Sequence, residues 1–393
     1  MRYMHMDSSP IFFVDMSVLA KQIKRWKQNL PTVQPLYAMK ANFDAKICQT
    51  LVENDIGMEV ASKLEMQKSL EMGVPKTKIL FGAPMKEDSH LVYAKENGVM
   101  RCVADSKCEL NKIAKLHPES EVFMRIAVDD REARCRFSSK FGLFREEWPL
   151  FLQHAKEQRV NLCGVSFHVG SGGSSPLAFF DAISLARDAF DAAKEYGFQF
   201  KNLDIGGGFS DDSKDISSFE DVATAINVAL ENLFPHKDNV QFYAEPGRFF
   251  VASSHTYAVS VIGKRDLLPM HHINSHEIEK TRLENSTASA GDDAEVAVWI
   301  NDGLYGCFNC CVFDHAEAQP VDYVLADPKH QHLKTKVFGP TCDSIDVVIS
   351  CATMPCLEQN DIILFKNMGA YTRSSSSRFN GYGYFRVVYL NSD

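Results

Sequence analysis

Between residues 36 and 247 the chain alternates, eight times over, a short apolar run with a stretch of helical pattern. The runs are LYAM (36–39), MEVA (58–61), ILF (79–81), RCVA (101–104), VFMRI (122–126), CGVSFH (163–168), LDIG (203–206) and QFYAE (241–245). Runs that are continuous rather than alternating, and rich in β-branched and aromatic residues, suit strands buried on both faces. That is the mark of a parallel sheet covered by helices. Eight strand–helix units suffice to close such a sheet into a (β/α)8 TIM-like barrel, with an open doubly wound sheet as the alternative. The clearest helix is expected from Pro176 to Tyr196. Ser175 is placed to cap it, Pro176 opens its first turn and Gly197 lies just beyond its end.

After Arg248 the rhythm changes. FFVASSHTYAVSVIGKR (249–265), AEVAVWIND (294–302), KTKVFGP (334–340), DIILFKN (361–367) and YGYFRVVYL (382–390) read as strands without regular helices between them. The expected architecture is therefore an α/β barrel over residues 17–250 followed by an all-β domain over 251–393. The early segment 1–16 joins the second domain through the strand IFFVD. The polar, aperiodic segment 271–293 reads as a mobile surface loop.

In such a barrel, chemistry collects where strands end at the C-terminal face. Lys40, Glu59, Arg125, His168, the glycines 206–208 and Glu245 fall there. In PLYAMKANFD (35–44) an ammonium follows directly on an apolar strand, which is costly unless the charge is paired or used; the bland alternative is a lysine lying on apolar surface with its amine in water. In DIGGGFSDD (204–212) three glycines follow a strand, so their N–H groups can approach a phosphate closely. A dinucleotide fingerprint would need a further glycine where Asp211 stands. SFHVGSGG (166–173) sets His168 before a small polar loop. AEPGRFF (244–250) places a carboxylate at a strand end and Arg248 past a Pro-Gly bend. A pyridinium nitrogen and a phosphate would suit Glu245 and Arg248; an internal ion pair between them is the alternative.

Composition removes other classes. The 393 residues carry a formal net charge of −9 and no basic stripe interleaved with aromatics, which argues against nucleic acid as a partner. No run approaches the roughly 18 apolar residues of a membrane span, and the first fifteen residues lack a secretory pattern. Eleven cysteines scattered through apolar stretches fit free thiols in a reducing cytoplasm. Cys307, Cys310, Cys311 and His315 lack a second pair at zinc spacing, so no metal is expected. Asp314 is a candidate fixed anion for a substrate ammonium. Cys342, beside Asp343 after a Gly-Pro turn, is a candidate proton donor.

In order and spacing, PLYAMKAN, SFHVGSGG, LDIGGGF, AEPGRFFVAS, NDGLYGCFNC, FGPTCDSID and NMGAYT resemble the eukaryotic-type ornithine decarboxylases, pyridoxal-phosphate enzymes of the alanine-racemase-like fold. The resemblance runs from about residue 10 to 385. It implies that Lys40 holds pyridoxal 5'-phosphate through an imine, which consumes the amine the strand leaves behind. It implies that His168 stacks on the cofactor ring and that Glu245 keeps the pyridine nitrogen protonated. Glu59 and Arg125 would lie beside the cofactor, with Ser171, Gly207, Gly208, Gly247, Arg248 and Tyr371 around its phosphate. Asp314, with Asp343 from a second subunit, would grip the distal amine of a basic amino acid. Cys342, also from that subunit, would return the proton to Cα. Shared sites imply a homodimer, with Lys140 and Asp346 as an interface clamp. The implied reaction is L-ornithine to putrescine, a step of polyamine biosynthesis.

Two positions depart from the family pattern: Glu59 stands where aspartate is usual, and Phe313 where tyrosine is usual. The degradation tail of vertebrate homologues is expected to be missing. Lysine, giving cadaverine, is the alternative substrate, ahead of arginine and diaminopimelate. Racemases of this fold place an arginine at the pyridine nitrogen, and Glu245 argues against them. A non-catalytic regulator like the antizyme inhibitors is the remaining rival; such relatives lose cofactor and thiol residues that this chain keeps.

Overall fold

The computed structural model describes residues 9–172, 175–210, 217–235, 238–267, 294–325 and 331–391. The expected surface loop at 271–293 lies outside the described residues. The chain divides into two units, residues 16–253 and residues 1–15 with 254–393.

In the first unit eight parallel strands close into a barrel in chain order: β2 (Val33–Ala38), β3 (Gly57–Val60), β4 (Ile79–Phe81), β5 (Arg101–Ala104), β6 (Glu121–Arg125), β7 (Leu162–Ser166), β8 (Asn202–Asp204) and β9 (Gln241–Ala244). β9 returns to pair with β2, which eliminates the open sheet. Leu36, Leu80, Val103, Phe123 and Tyr243 form one buried cluster, contributed by five of these strands. The helices begin where short polar side chains replace the missing intrahelical acceptors. Asp44 caps the helix Ala45–Glu53, Ser62 caps Lys63–Glu71, Ser106 caps Lys107–Leu116 and Ser218 caps Phe219–Leu233. Ser175 caps the helix Pro176–Glu195 through the Ala178 N–H, with Gly197 left-handed two residues past its end.

One segment differs from the sequence expectation. Phe249, Phe250 and Val251, expected to begin a long strand, lie in a short helix, Arg248–Val251. Both rings pack against the buried Trp26, with centroids 5.5 and 5.9 Å away. Burial of this aromatic group holds the segment against the barrel unit, and the strand starts only at His255.

An ion pair is buried between the β4 and β5 connections. Lys86 and Glu109 meet at 2.8 Å with side chains 0% exposed. Lys86 Nζ also donates to the Val103 and Ala83 carbonyls at 2.6 and 3.1 Å. Removing one member of such a pair strands the other. Lys86→Met is expected to cost about 3 kcal/mol, the low end for a broken buried pair, because Lys112 stays 2.8 Å from Glu109. A urea titration measures this, and a loss below about 1 kcal/mol would show the pair to be dispensable.

The second unit is an eight-stranded sheet. β1 (Ile11–Asp15) pairs with β10 (His255–Asp266) and β16 (Arg386–Leu390). The remaining order is β12 (Pro320–Val324), β15 (Ile362–Lys366), β10, β11 (Val296–Ile300), β13 (His332–Phe338) and β14 (Val347–Pro355). β10 is twelve residues long and serves three neighbours: β1 and β15 flank its first half and β11 pairs with its second, with a register shift between Val261 and Gly263. β12 and β14 do not stand out in the sequence pattern. Their inward and outward residues are mixed, with buried Val348 and Ile349 beside exposed Ser350.

Candidate active site

Several strands stop one or two residues before their apolar runs do, so Lys40, His168, the glycines 206–208 and Glu245 sit in the first turns beyond them, while Glu59 and Arg125 lie within β3 and β6. Lys40 lies in a 3-10 turn, Met39–Ala41, whose outer members are 1% and 0% exposed. Burying Met39 and Ala41 turns Lys40 the other way. The Lys40 side chain is 44% exposed and its ammonium is paired, one of the outcomes expected for a charge that follows an apolar strand. Its Nζ lies 2.6 Å from Oε2 of Glu59, which is 2% exposed on β3. Glu65, on the next helix, accepts the Ala61 N–H at 2.6 Å. Burial pushes its carboxyl up, while that N–H opposes the shift.

Arg125 ends β6, 7% exposed, with its guanidinium 5.4 Å from the Phe141 ring centre. His168 follows β7 by two residues. Its Nδ1 accepts the Gly170 N–H at 3.0 Å. Burial, then the charges of Arg125 and Lys40, hold the imidazole far below its usual range, so it is neutral with its proton on Nε2. Ser171 is bound main chain to main chain with Cys135, which ties the 127–143 segment to this turn.

At the end of β8, Gly206 and Gly208 take φ of +64° and +105°. A Cβ on Gly207 would stand 2.8 Å from both the Glu245 carbonyl oxygen and His168 Nε2. No side chain fits there, which leaves a backbone cradle open to a small anion. Glu245, one residue past β9, is 5% exposed, and its N–H donates to Gly206 O at 2.7 Å. Gly247 precedes the short helix that starts at Arg248, which is half-buried.

Sequence reasoning missed Asp204 and Ser166. Asp204 is fully buried on β8, accepting Ser166 Oγ at 2.8 Å and the Gly206 N–H at 3.0 Å. The Glu245 carboxyl lies close enough for the two groups to influence each other's protonation. Burial, then the charges of Asp204 and Glu59, pushes Glu245 well above the usual carboxylate range. Two adjacent buried carboxyls share a proton. Asp204 already accepts two other donors, so Glu245 carries it. The available signal was a charged residue inside the apolar run LDIG.

In the β unit, Asp314 closes the short helix Cys310–Phe313 and is 7% exposed, whereas Phe313 is 72% exposed. Tyr371 has φ +55°, strained backbone for an aromatic residue. Cys342 is exposed and Asp343 half-buried beside it. Asp346, expected to pair with Lys140 across a dimer interface, has partners within its own unit. It is 1% exposed and accepts Leu304 N, Thr341 N and Thr341 Oγ1 at 2.7, 3.1 and 2.7 Å. Cys307 and Cys310 are buried, and among the described residues no group of three or more His, Cys, Asp or Glu is placed to hold a metal ion.

The barrel-mouth groups fit pyridoxal phosphate. Lys40 offers an amine to its aldehyde, the glycine cradle suits its phosphate, and Glu245 Oε1, buried with no hydrogen-bond partner among the described residues, suits its ring nitrogen.

Comparison with known proteins agrees. Residues 16–252 match the family described as pyridoxal-dependent decarboxylase, pyridoxal binding domain. The chain is 38% identical over 388 residues to ornithine decarboxylase of Mus musculus, covering 98% of this chain and 81% of that protein. It is 38% identical over 385 residues to antizyme inhibitor 2 of Xenopus laevis, with the same two coverages. The crystal structure of the Paramecium bursaria Chlorella virus arginine decarboxylase bound to agmatine superposes with a TM-score of 0.87 at 30% identity, covering 98% of this chain and 97% of that one.

Proposed function

The chain belongs to the pyridoxal-dependent decarboxylases, and from that premise we propose that it converts L-ornithine and a proton to putrescine and CO2. The observation that carries the reading is Glu245: a buried acid with one oxygen unpartnered among the described residues, at the same barrel mouth as Lys40. A racemase would place a cation there.

Bound pyridoxal phosphate supplies an electron sink for the carbon that loses CO2. Lys40 is the amine that holds it, and Glu59 orients that amine. Glu245 keeps a proton at the ring nitrogen, and Asp204 raises the proton affinity of Glu245. His168 is neutral, so it presents a ring face without adding a cation. Gly207, Gly208, Ser171, Arg248 and Tyr371 hold the phosphate, with Gly247 allowing the bend to Arg248 and Arg125 lying alongside. Asp314 and a second copy's Asp343 take the distal ammonium, which leaves the departing carboxylate facing no cation. Cys342 of that copy returns a proton to Cα.

The exposed apolar residues Phe313, Ile345, Phe379 and Tyr384 support self-association of the β unit. Free cysteines throughout the chain favour a cytoplasmic setting, and no described helix is long and apolar enough to cross a membrane.

Lysine is the second reading, because a single methylene separates it from ornithine and discriminates by only about 1–3 kcal/mol. Release of CO2 from ornithine, lysine, arginine and diaminopimelate ranks the substrates; preference for anything but ornithine would displace the first choice. Asp314→Ala is expected to lower kcat/KM for ornithine about 10- to 100-fold, the size of a lost hydrogen bond to a charged group. It should leave monoamino acids nearly unaffected. Unchanged discrimination between the two would remove Asp314 from the substrate site.

A further inference from the structure

Two side chains without a role so far hold the loop that carries Cys342 and Asp343. The Tyr305 hydroxyl donates to Asp343 Oδ2. Asn380 Oδ1 accepts the Cys342 N–H at 3.2 Å. The other Asp343 oxygen accepts the Ile345 N–H at 3.1 Å, so each carboxylate oxygen has a fixed donor. The two holders are fixed in turn. Tyr305 O accepts Ser377 N and Ser377 Oγ at 2.8 and 2.9 Å, and its ring lies against Phe379, with centroids 4.4 Å apart. Asn380 takes φ +52°, a left-handed backbone that asparagine tolerates better than most residues. Beneath them, Asp346 binds both Leu304 and Thr341, joining the segment of Tyr305 to the segment of Cys342.

Left to itself, a side chain on an exposed loop samples several rotamers, and a displacement of about 1 Å at a reacting group can cost about 10²-fold in rate. The thiol and the carboxylate are adjacent in sequence. A clamp that fixes the backbone of one and the side chain of the other presents them as a single unit.

We propose that Tyr305 and Asn380 are positioning residues for the decarboxylation. Tyr305 fixes the Asp343 carboxylate for the distal ammonium of the substrate, and Asn380 fixes the main chain that presents the Cys342 thiol. The proposal rests on the roles given above to Asp343 and Cys342.

The test is steady-state kinetics with ornithine on the cofactor-loaded enzyme, comparing Tyr305→Phe, Asp343→Ala and the double variant, each confirmed as wild-type in assembly by sedimentation. Tyr305→Phe keeps the ring contact with Phe379 and loses only the hydroxyl. It should raise KM about ten-fold with kcat within about two-fold, and should add nothing to Asp343→Ala. Asn380→Gly keeps the left-handed backbone without the amide. It should lower kcat at unchanged KM and release CO2 in excess of diamine, while Asn380→Asp, which keeps an acceptor, restores the balance.

If Asp343→Ala leaves KM unchanged, the role of Asp343 itself fails. If Asp343→Ala raises KM but Tyr305→Phe does not, or if the Tyr305→Phe effect persists in full on Asp343→Ala, the positioning role of Tyr305 is overturned. A wild-type ratio of CO2 to diamine in Asn380→Gly overturns that of Asn380.

Discussion

Lys40→Ala leaves CO2 release from ornithine below about a thousandth of wild type, because it removes the amine assigned to the covalent bond with the cofactor. The loss is chemical rather than structural. Lys40 is half-exposed, and the residues flanking it, not Lys40 itself, are packed into the barrel. Thermal stability should change little, since truncation frees Glu59 to be solvated where the ammonium stood. Protein carrying the substitution should lose the absorbance of a lysine-bound cofactor and should not retain label after borohydride. Mixing Lys40→Ala chains with Cys342→Ala chains should restore part of the activity, because one kind of site in a mixed dimer then contains both residues. Turnover by Lys40→Ala alone at a tenth of wild type would remove the lysine from the mechanism. Failure of the mixture to recover, with dimers present, would remove the sharing of sites.

Glu245→Gln should lower kcat about 10²- to 10³-fold while cofactor remains bound. Glutamine keeps the shape but cannot hold a proton on the ring nitrogen. A second signature belongs to the protein without cofactor. Burial and the neighbouring Asp204 raise the Glu245 pKa well above the usual carboxylate range, whereas the unfolded chain titrates near its ordinary value of about 4.3. Between those two values the folded state holds more protons than the unfolded one, so stability falls as pH rises through that window. The contribution is fully present below the unfolded pKa and is gone above the folded one. Glu245→Gln deletes it, so the variant's stability should decline less than wild type as pH rises from about 4.3. Parallel pH–stability curves would mean that Glu245 is not held protonated, whatever the kinetics show.

Much of the architecture was legible because periodicity is a local property. Eight continuous apolar runs with helical spacers state a parallel sheet covered by helices, closed or open, and Ser175, Pro176 and Gly197 state both ends of a helix. The legibility failed where local pattern and tertiary burial compete. The Phe249–Val251 segment has strand composition, yet packing of Phe249 and Phe250 against Trp26 made it a helical turn. β12 and β14 have mixed faces, so no period announces them.

The site divides along the same line. Lys40, His168, the glycines and Glu245 are marked by residue type at strand ends. Asp204 was hidden because one acid in an apolar run carries no sign of its partner. Nothing in the local sequence marked the three donors that Asp346 meets in its own unit.

By itself the sequence determined eight strand–helix units, a β-rich stretch after them and the residue types at the strand ends, because hydrophobic period and strand termini are written along the chain; closure into a barrel was decided by the pairing of β9 with β2. Only the tertiary structure decided who pairs with whom: Lys40 with Glu59, Asp204 with Glu245, Tyr305 with Asp343. Those partners lie 19 to 41 residues apart, and their meeting is fixed by strand register and loop packing, which no local pattern encodes.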